Sequence, residues 1–289
     1  ESGIDLGRFA YIDTMVTVVD AERFFQDFSS IERLRDRQLT DMAGDERTIV
    51  NLLVDQVEFA NVLALNKTDR LDADSLNVLE AALRKLNPGA RIVRSTFGQV
   101  DPALIMGTGL FNMDEAENSA GWKQELEAGA HTPETEEYGI GSFVFRDPRP
   151  FHPQRFWDYL EQRFPASVIR SKGLFWLASR SDQALNWSQA GGSLKADGAG
   201  VWWSSMPIAE RLQYPSFRAH RDAIEAGWEA HFGDRRNELV LIGQEMDEAA
   251  IRAGLEACLC TPDEIALWRS GGFPREDQWP IAVQVPEHA

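Results

Sequence analysis

The chain has 289 residues, 43% hydrophobic and 26% charged, a balance that suits a globular protein of about two domains and excludes disorder of the whole chain. Lys+Arg 29 against Asp+Glu 46 gives a formal net charge of −17, a field that repels phosphate backbones and anionic lipid and so argues against nucleic acid and membrane partners. Only two cysteines occur, Cys258 and Cys260; standing two positions apart they cannot staple separate elements, so a disulfide framework is excluded and a reducing, cytoplasmic setting is expected.

No apolar run approaches the about 20 residues of a bilayer span, and the first residues carry no basic-then-apolar signal pattern. The chain opens at Glu1 without methionine, which fits an N-terminus cut from a longer protein. The first half alternates β-branched runs with helical patterns, the order of a parallel sheet covered by helices. Strands are expected at Val16–Val19, Asn61–Leu65 and Arg91–Arg94, with helices over Arg47–Phe59 and Ala73–Leu86. Leu76, Leu79, Leu83 and Leu86 give the latter one apolar face, and Asn87-Pro88-Gly89 stops it. Asp101-Pro102 opens a short helix.

From 112 to 137 the pattern fades into Asp, Glu, Ala, Gly and Pro, read as an acidic, partly helical linker between domains at 1–111 and 138–289. After it, strands are expected at Ser142–Arg146, Val168–Ala178, Val201–Met206 and Glu238–Ile242. Helices are expected at Pro153–Arg163, around Ile224 and Trp228, near Asp247–Leu259 and at Pro262–Arg269. That β-α-β-β-α-β order is the split unit of a small ferredoxin-like α+β domain.

The sharpest chemical signal is Asn66-Lys67-Thr68-Asp69, directly after the apolar strand Val62–Leu65, where open α/β sheets bind ligands. A carboxylate there accepts both N–H groups of guanine's Watson–Crick edge, where adenine offers an acceptor instead. In this reading Asp69 reads the base, the Lys67 stem lies over it and Asn66 ties neighbouring loops; a polar turn capping a helix is the plainer alternative. Ser95-Thr96, after the next strand, would then wall the base pocket. A phosphate cradle of the form G-x-x-x-x-G-K-[ST] is missing from the sequence, and Gly107-Thr108-Gly109 and Gly191-Gly192-Ser193 read as turns.

Cys258 and Cys260, among Leu255 and Leu259, offer two soft ligands at most, and core packing is the expected role. The five histidines show no metal-binding spacing, and His131 with Glu134, Glu136 and Glu137 reads as a solvated acidic loop. Arg170-Ser171-Lys172-Gly173 and Asp234-Arg235-Arg236 are either anion or acidic-partner sites or salt-bridged turns. The nine tryptophans concentrate in the second half, as a packed sheet or a partner-binding face.

Taken together, these residues resemble the CobW-type family of GTP-binding metallochaperones over nearly the whole chain. Val16-Thr17-Val18-Val19-Asp20-Ala21, Asp55-Gln56-Val57-Glu58-Phe59-Ala60 and Leu65-Asn66-Lys67-Thr68-Asp69 are similar to the second half of the family's GTPase domain. Ser142-Phe143-Val144-Phe145-Arg146, Arg149-Pro150-Phe151-His152-Pro153 and Gly233-Asp234-Arg235-Arg236-Asn237-Glu238 resemble its C-terminal domain. The resemblance implies an α/β fold: a P-loop-type GTPase domain, incomplete here, followed by a smaller ferredoxin-like α+β domain. It implies GTP and Mg²⁺ as cofactors, Asn66, Lys67, Asp69, Ser95 and Thr96 at the guanine, and a transition metal, zinc before cobalt or iron, delivered to a client metalloprotein.

The family's phosphate loop and Cys-X-Cys-Cys metal motif belong upstream, and the metal-carrying residues are unassigned. Glu1-Ser2-Gly3 resembles the family's segment near the γ-phosphate and Mg²⁺ but is one residue short, which makes Glu1 the catalytic-side candidate. Two readings follow. One is a GTPase, given a phosphate loop in the intact protein; the other is a non-hydrolysing adaptor that docks a client through the Trp-rich second domain. Oligomeric state is not legible in the sequence.

Overall fold

The computed structural model describes residues 10–28, 48–112, 126 and 138–279. Glu1 and nearly all of the 112–137 linker, with His131 and its neighbouring glutamates, lie outside the described residues. The chain divides into two compact units that part after Ser142, with short returns to the first at Ala190–Ser193 and Ile242–Glu245. The fold is mixed α/β.

The first unit is built on a parallel sheet of β1 (Val16–Asp20), β2 (Val62–Asn66) and β3 (Arg91–Arg94), in the order β1-β2-β3. β2 is central, and Val62, Leu63, Ala64 and Leu65 are all buried, as a strand covered on both faces requires. After β1 comes a short helix, α1 (Phe24–Phe28). The two longer helices, α2 (Ile49–Glu58) and α3 (Ala73–Leu86), start at side-chain caps: Asn51 N donates to Thr48 Oγ1 (3.4 Å) and Ser75 N to Asp72 Oδ1 (2.8 Å). Leu76, Leu79, Leu83 and Leu86 of α3 are buried, each contributing about 2 kcal/mol by area.

Asn87 ends α3 and is itself buried. Its Nδ2 donates to the carbonyls of Val57 (2.8 Å), Glu58 (3.2 Å) and Ala60 (2.9 Å), so one side chain fixes the C-terminus of α2 and the approach to β2.

The second sheet has five strands: β4 (Ile140–Asp147), β5 (Val168–Phe175), β6 (Gln183–Ala190), β7 (Ser193–Val201) and β8 (Asn237–Gln244), ordered β4-β8-β5-β6-β7. Helices α4 (Pro153–Gln162), α5 (Ile208–Arg211), α6 (Pro215–Ala226), α7 (Glu248–Glu256) and α8 (Pro262–Arg269) connect or follow them. An aromatic core joins Phe143, Phe145, Phe151, Phe156, Phe175, Trp187 and Trp279; the Phe151 and Phe156 rings stack at 3.9 Å. Gly173 in β5 has φ +150, and a Cβ there would lie 1.9 Å from Glu238 O, so only glycine lets β5 and β8 approach.

Two expectations are corrected. The strand expected at Val201–Met206 is instead the hairpin β6–β7, turning at Gly191-Gly192 and ending at Val201. Trp203–Ser205 is a 3₁₀ turn, because the Asp234 carboxylate accepts Trp203 N (2.9 Å) and Ser204 N (2.8 Å) and pulls the chain out of extension. The helix around Ile224 stops at Ala226 and leaves out Trp228, whose ring instead lies 4.8 Å beneath the Arg211 guanidinium.

Candidate functional site

β1, β2 and β3 run parallel, so their carboxyl ends share one edge. Asp20 pairs with Asn66 in the β1–β2 register, and Ser95 N, just past β3, donates to Leu65 O at 2.7 Å. Topology alone therefore gathers Asp20, Asn66–Asp69 and Ser95–Gly98.

The Asn66 carboxamide is the tie between loops. Its Oδ1 accepts Gly98 N at 3.0 Å and lies 3.5 Å from Ser95 Oγ, while its backbone carbonyl accepts Ala21 N at 3.0 Å. Lys67 follows in the left-handed region, φ 62 and ψ 31, a conformation that costs a non-glycine residue about 1 kcal/mol or more. Arg70 N donates to its carbonyl (3.0 Å) and its Nζ lies 2.7 Å from Asp20 Oδ2, which together hold it there. Thr68 N and Oγ1 both donate to Ser95 O (3.3 and 3.1 Å), and the Thr68 and Thr96 hydroxyls are 3.5 Å apart.

Asp69 sits on the 3₁₀ turn Thr68–Arg70 with its carboxylate 42% exposed; its partner Arg70 approaches only to 4.0 Å. The arrangement thus offers an accessible carboxylate in a loop fixed from both sides, beside Ser95 (buried) and Thr96 (half-buried). The five residues expected at the guanine, Asn66, Lys67, Asp69, Ser95 and Thr96, lie together on this edge, while Glu1 is outside the described residues. Sequence reasoning missed Asp20, which matters because it holds the Lys67 ammonium, and Thr68, the unspecified position of the motif, which joins the two loops. The signal for Asp20 was present: it ends the strand that neighbours β2.

Elsewhere the site candidates become framework. Arg170 is buried in β5, donating to Ser188 Oγ (3.0 Å) and Gln189 O (3.2 Å). Arg235 is nearly buried between Trp176 and Trp268, 5.6 Å from each ring, with its guanidinium on Ser181 O, Phe232 O and Ser205 Oγ. Neither arginine is a surface anion site. Of the eight described tryptophans none is exposed: Trp176, Trp187, Trp202 and Trp279 are buried, and Trp157, Trp203, Trp228 and Trp268 are half-buried. Cys258 and Cys260 are core residues whose thiols burial pushes up to about 11 and about 12. Among the described residues no group of three or more His, Cys, Asp or Glu side chains is placed to hold a metal ion, and no helix is long and apolar enough to cross a membrane. Gly107-Thr108-Gly109 is a turn wrapped on the Asp13 carboxylate, which accepts Thr108 N (3.0 Å) and Gly109 N (2.8 Å) and is held below the usual carboxylate range by them.

A parallel sheet with an Asn-Lys-X-Asp loop at its carboxyl edge defines a nucleotide-binding class of α/β domain. Residues 3–94 match the family model described as CobW/HypB/UreG, nucleotide-binding domain, and residues 140–259 match that of the cobalamin synthesis protein cobW C-terminal domain. The chain belongs to the CobW family. It is 38% identical over 273 residues to the zinc-regulated GTPase metalloprotein activator 1 of Dictyostelium discoideum, covering 92% of this chain and 56% of that protein. It is 28% identical over 263 residues to the zinc chaperone CobW of a Sinorhizobium species, covering 88% of this chain and 65% of that one. The chain thus spans between about half and two thirds of the length of these relatives. The solved structure of the Zn(II)-bound YjiA GTPase of E. coli aligns over 90% of this chain and 65% of that one at 19% identity, with a TM-score of 0.35, a superposition too loose to add to the fold described above.

Proposed function

We propose that the protein is a GTP-binding metallochaperone, coupling GTP binding and hydrolysis to delivery of a transition metal, zinc first, to a client metalloprotein. The observation that carries the guanine half of this reading is the accessible Asp69 carboxylate in a loop tied by Asn66 to Gly98 and by Thr68 to Ser95. The names of the relatives, a zinc-regulated GTPase metalloprotein activator and a zinc chaperone, support the zinc half.

The chain's own residues fit a guanine base. The two Asp69 oxygens accept the ring N–H and the exocyclic amine together, a paired polar contact that a base lacking those donors cannot replace. Asn66 does not itself need to touch the base; it fixes the Ser95–Gly98 loop. Lys67, held by Asp20, sets its methylene stem along the pocket, and Asp69, with Arg70 no nearer than 4.0 Å, keeps its oxygens accessible to the base. Ser95 and Thr96 close one wall. When bound, Mg²⁺ and the phosphates supply charge neutralisation for phosphoryl transfer; the residues that would hold them are not among those described, and the cargo metal's ligands are not either.

The experiment is nucleotide titration of the full-length protein and its Asp69→Asn variant. An amide there donates where the carboxylate accepted, so GTP affinity should fall at least about ten-fold while a xanthine nucleotide, with a carbonyl at the same ring position, gains. A variant that binds GTP and the xanthine nucleotide as the parent does would sink the guanine assignment.

A further inference from the structure

Phe97 stands at the same sheet edge as Asp69 and is 87% exposed. Its backbone is left-handed, φ 54, a region where a bulky aromatic residue is rare and strained. The neighbours keep it there: Ser95 N donates to Leu65 O (2.7 Å), Gly98 N to Asn66 Oδ1 (3.0 Å) and Gln99 N to Thr96 O (3.1 Å). An apolar ring held out in water by an over-determined, strained turn contributes nothing to the core, and such strain concentrates at ligand clamps.

Two contacts bring together the loop segments that carry Asp69 and Phe97. The Thr68 and Thr96 hydroxyls lie 3.5 Å apart, and Thr68 donates twice to Ser95 O. Asp69 follows Thr68 by one residue and Phe97 follows Thr96 by one, so both residues flank the same joint between the loops. Resting on the guanine reading of this edge, we propose that Phe97 is a base-stacking residue, its ring covering one face of the purine whose edge Asp69 accepts. The two contacts divide the labour. A π-face accepts any purine, so the ring sets affinity without choosing the base. The carboxylate chooses.

The test is calorimetric titration of GDP and of inosine diphosphate, which lacks the exocyclic amine, onto the full-length protein and its Phe97→Asn and Phe97→Tyr variants. Asparagine tolerates the left-handed backbone, so the turn survives and only the ring is lost. Phe97→Asn should weaken both nucleotides by about ten-fold with their ratio unchanged, and Phe97→Tyr should restore both. Unchanged affinities in Phe97→Asn would overturn the stacking role and leave the guanine reading standing. A loss confined to GDP would overturn it too, since the ring would then be acting on the amine edge. No GDP binding by the unaltered protein would overturn the guanine reading, and the stacking role with it.

Discussion

The Lys67 ammonium lies 2.7 Å from Asp20 Oδ2, joining the residue after β2 to the last residue of β1. Both side chains are part-exposed, 45% and 33%, so the pair contributes about 0–1 kcal/mol to stability. Asp20→Asn keeps an oxygen for Glu22 N and Arg23 N (3.2 and 3.3 Å), and the urea midpoint should barely move. What changes is the aim of Lys67. GDP affinity should drop several-fold by calorimetry, and high salt should narrow the gap between parent and variant by screening the pair. Equal affinities at low salt would reduce the contact to a surface ion pair.

Asn87 makes the opposite case, a side chain whose value is structural. The two protons of its amide, shared among three buried carbonyls, fasten α2 to the start of β2, so truncation leaves carbonyls without a donor. Asn87→Ala should cost about 2–3 kcal/mol, read as a lower urea midpoint with an unchanged m-value. Because β2 carries Asn66 into the site, nucleotide affinity should fall as well. A loss below about 0.5 kcal/mol, the range of ordinary surface changes, would mean that water replaces the amide.

These two residues show what the sequence made legible. β2 and α3 declare themselves, one by an unbroken apolar run and the other by leucines on a helical period, and so does the adjacency of Asn66 with Ser95, since both follow consecutive parallel strands. Asp20 escaped because its partner lies 47 residues away and only the β1–β2 register brings them level. Phe97 escaped because its side chain is unremarkable and the sign of φ leaves no trace in composition. The β6–β7 hairpin was invisible for a different reason: β7 is an edge strand, mostly exposed, with Gly198 and Gly200 where alternation would be sought. Arg170 was read as a surface charge because nothing in its own strand announces that Ser188 and Gln189 of β6 would satisfy it.

The pH response of the second unit should centre on Glu264. Its carboxylate takes both guanidinium nitrogens of Arg155 (2.8 and 2.7 Å) and Thr261 N (2.8 Å), and Arg155 chiefly lowers its pKa to about 2. A folded-state pKa below the unfolded value of about 4.3 stabilises the protein above that pH and is lost as pH falls toward 2. Allowing for the partial exposure of both groups, 25% and 34%, about 1–2 kcal/mol is at stake. The thermal midpoint should therefore fall between about pH 4.3 and pH 2, and the fall should be shallower in Glu264→Gln, which starts lower at neutral pH. Parallel curves for parent and variant would contradict the assignment.

The two thiols should be silent in the native protein. Cys258 is buried and its Sγ donates to Gly254 O at 3.1 Å, and burial is the first cause of the rise to about 11 there and to about 12 at Cys260. A thiol with a pKa above 10 is less than about 1% thiolate at pH 8, and the thiolate is both the nucleophile and the metal ligand. A disulfide reagent at pH 8 should therefore release almost no chromophore from the folded chain and two equivalents in denaturant, with zinc changing neither trace. Rapid reaction of the folded protein, slowed by added zinc, would instead make Cys258 and Cys260 soft ligands and place cargo metal in the second unit.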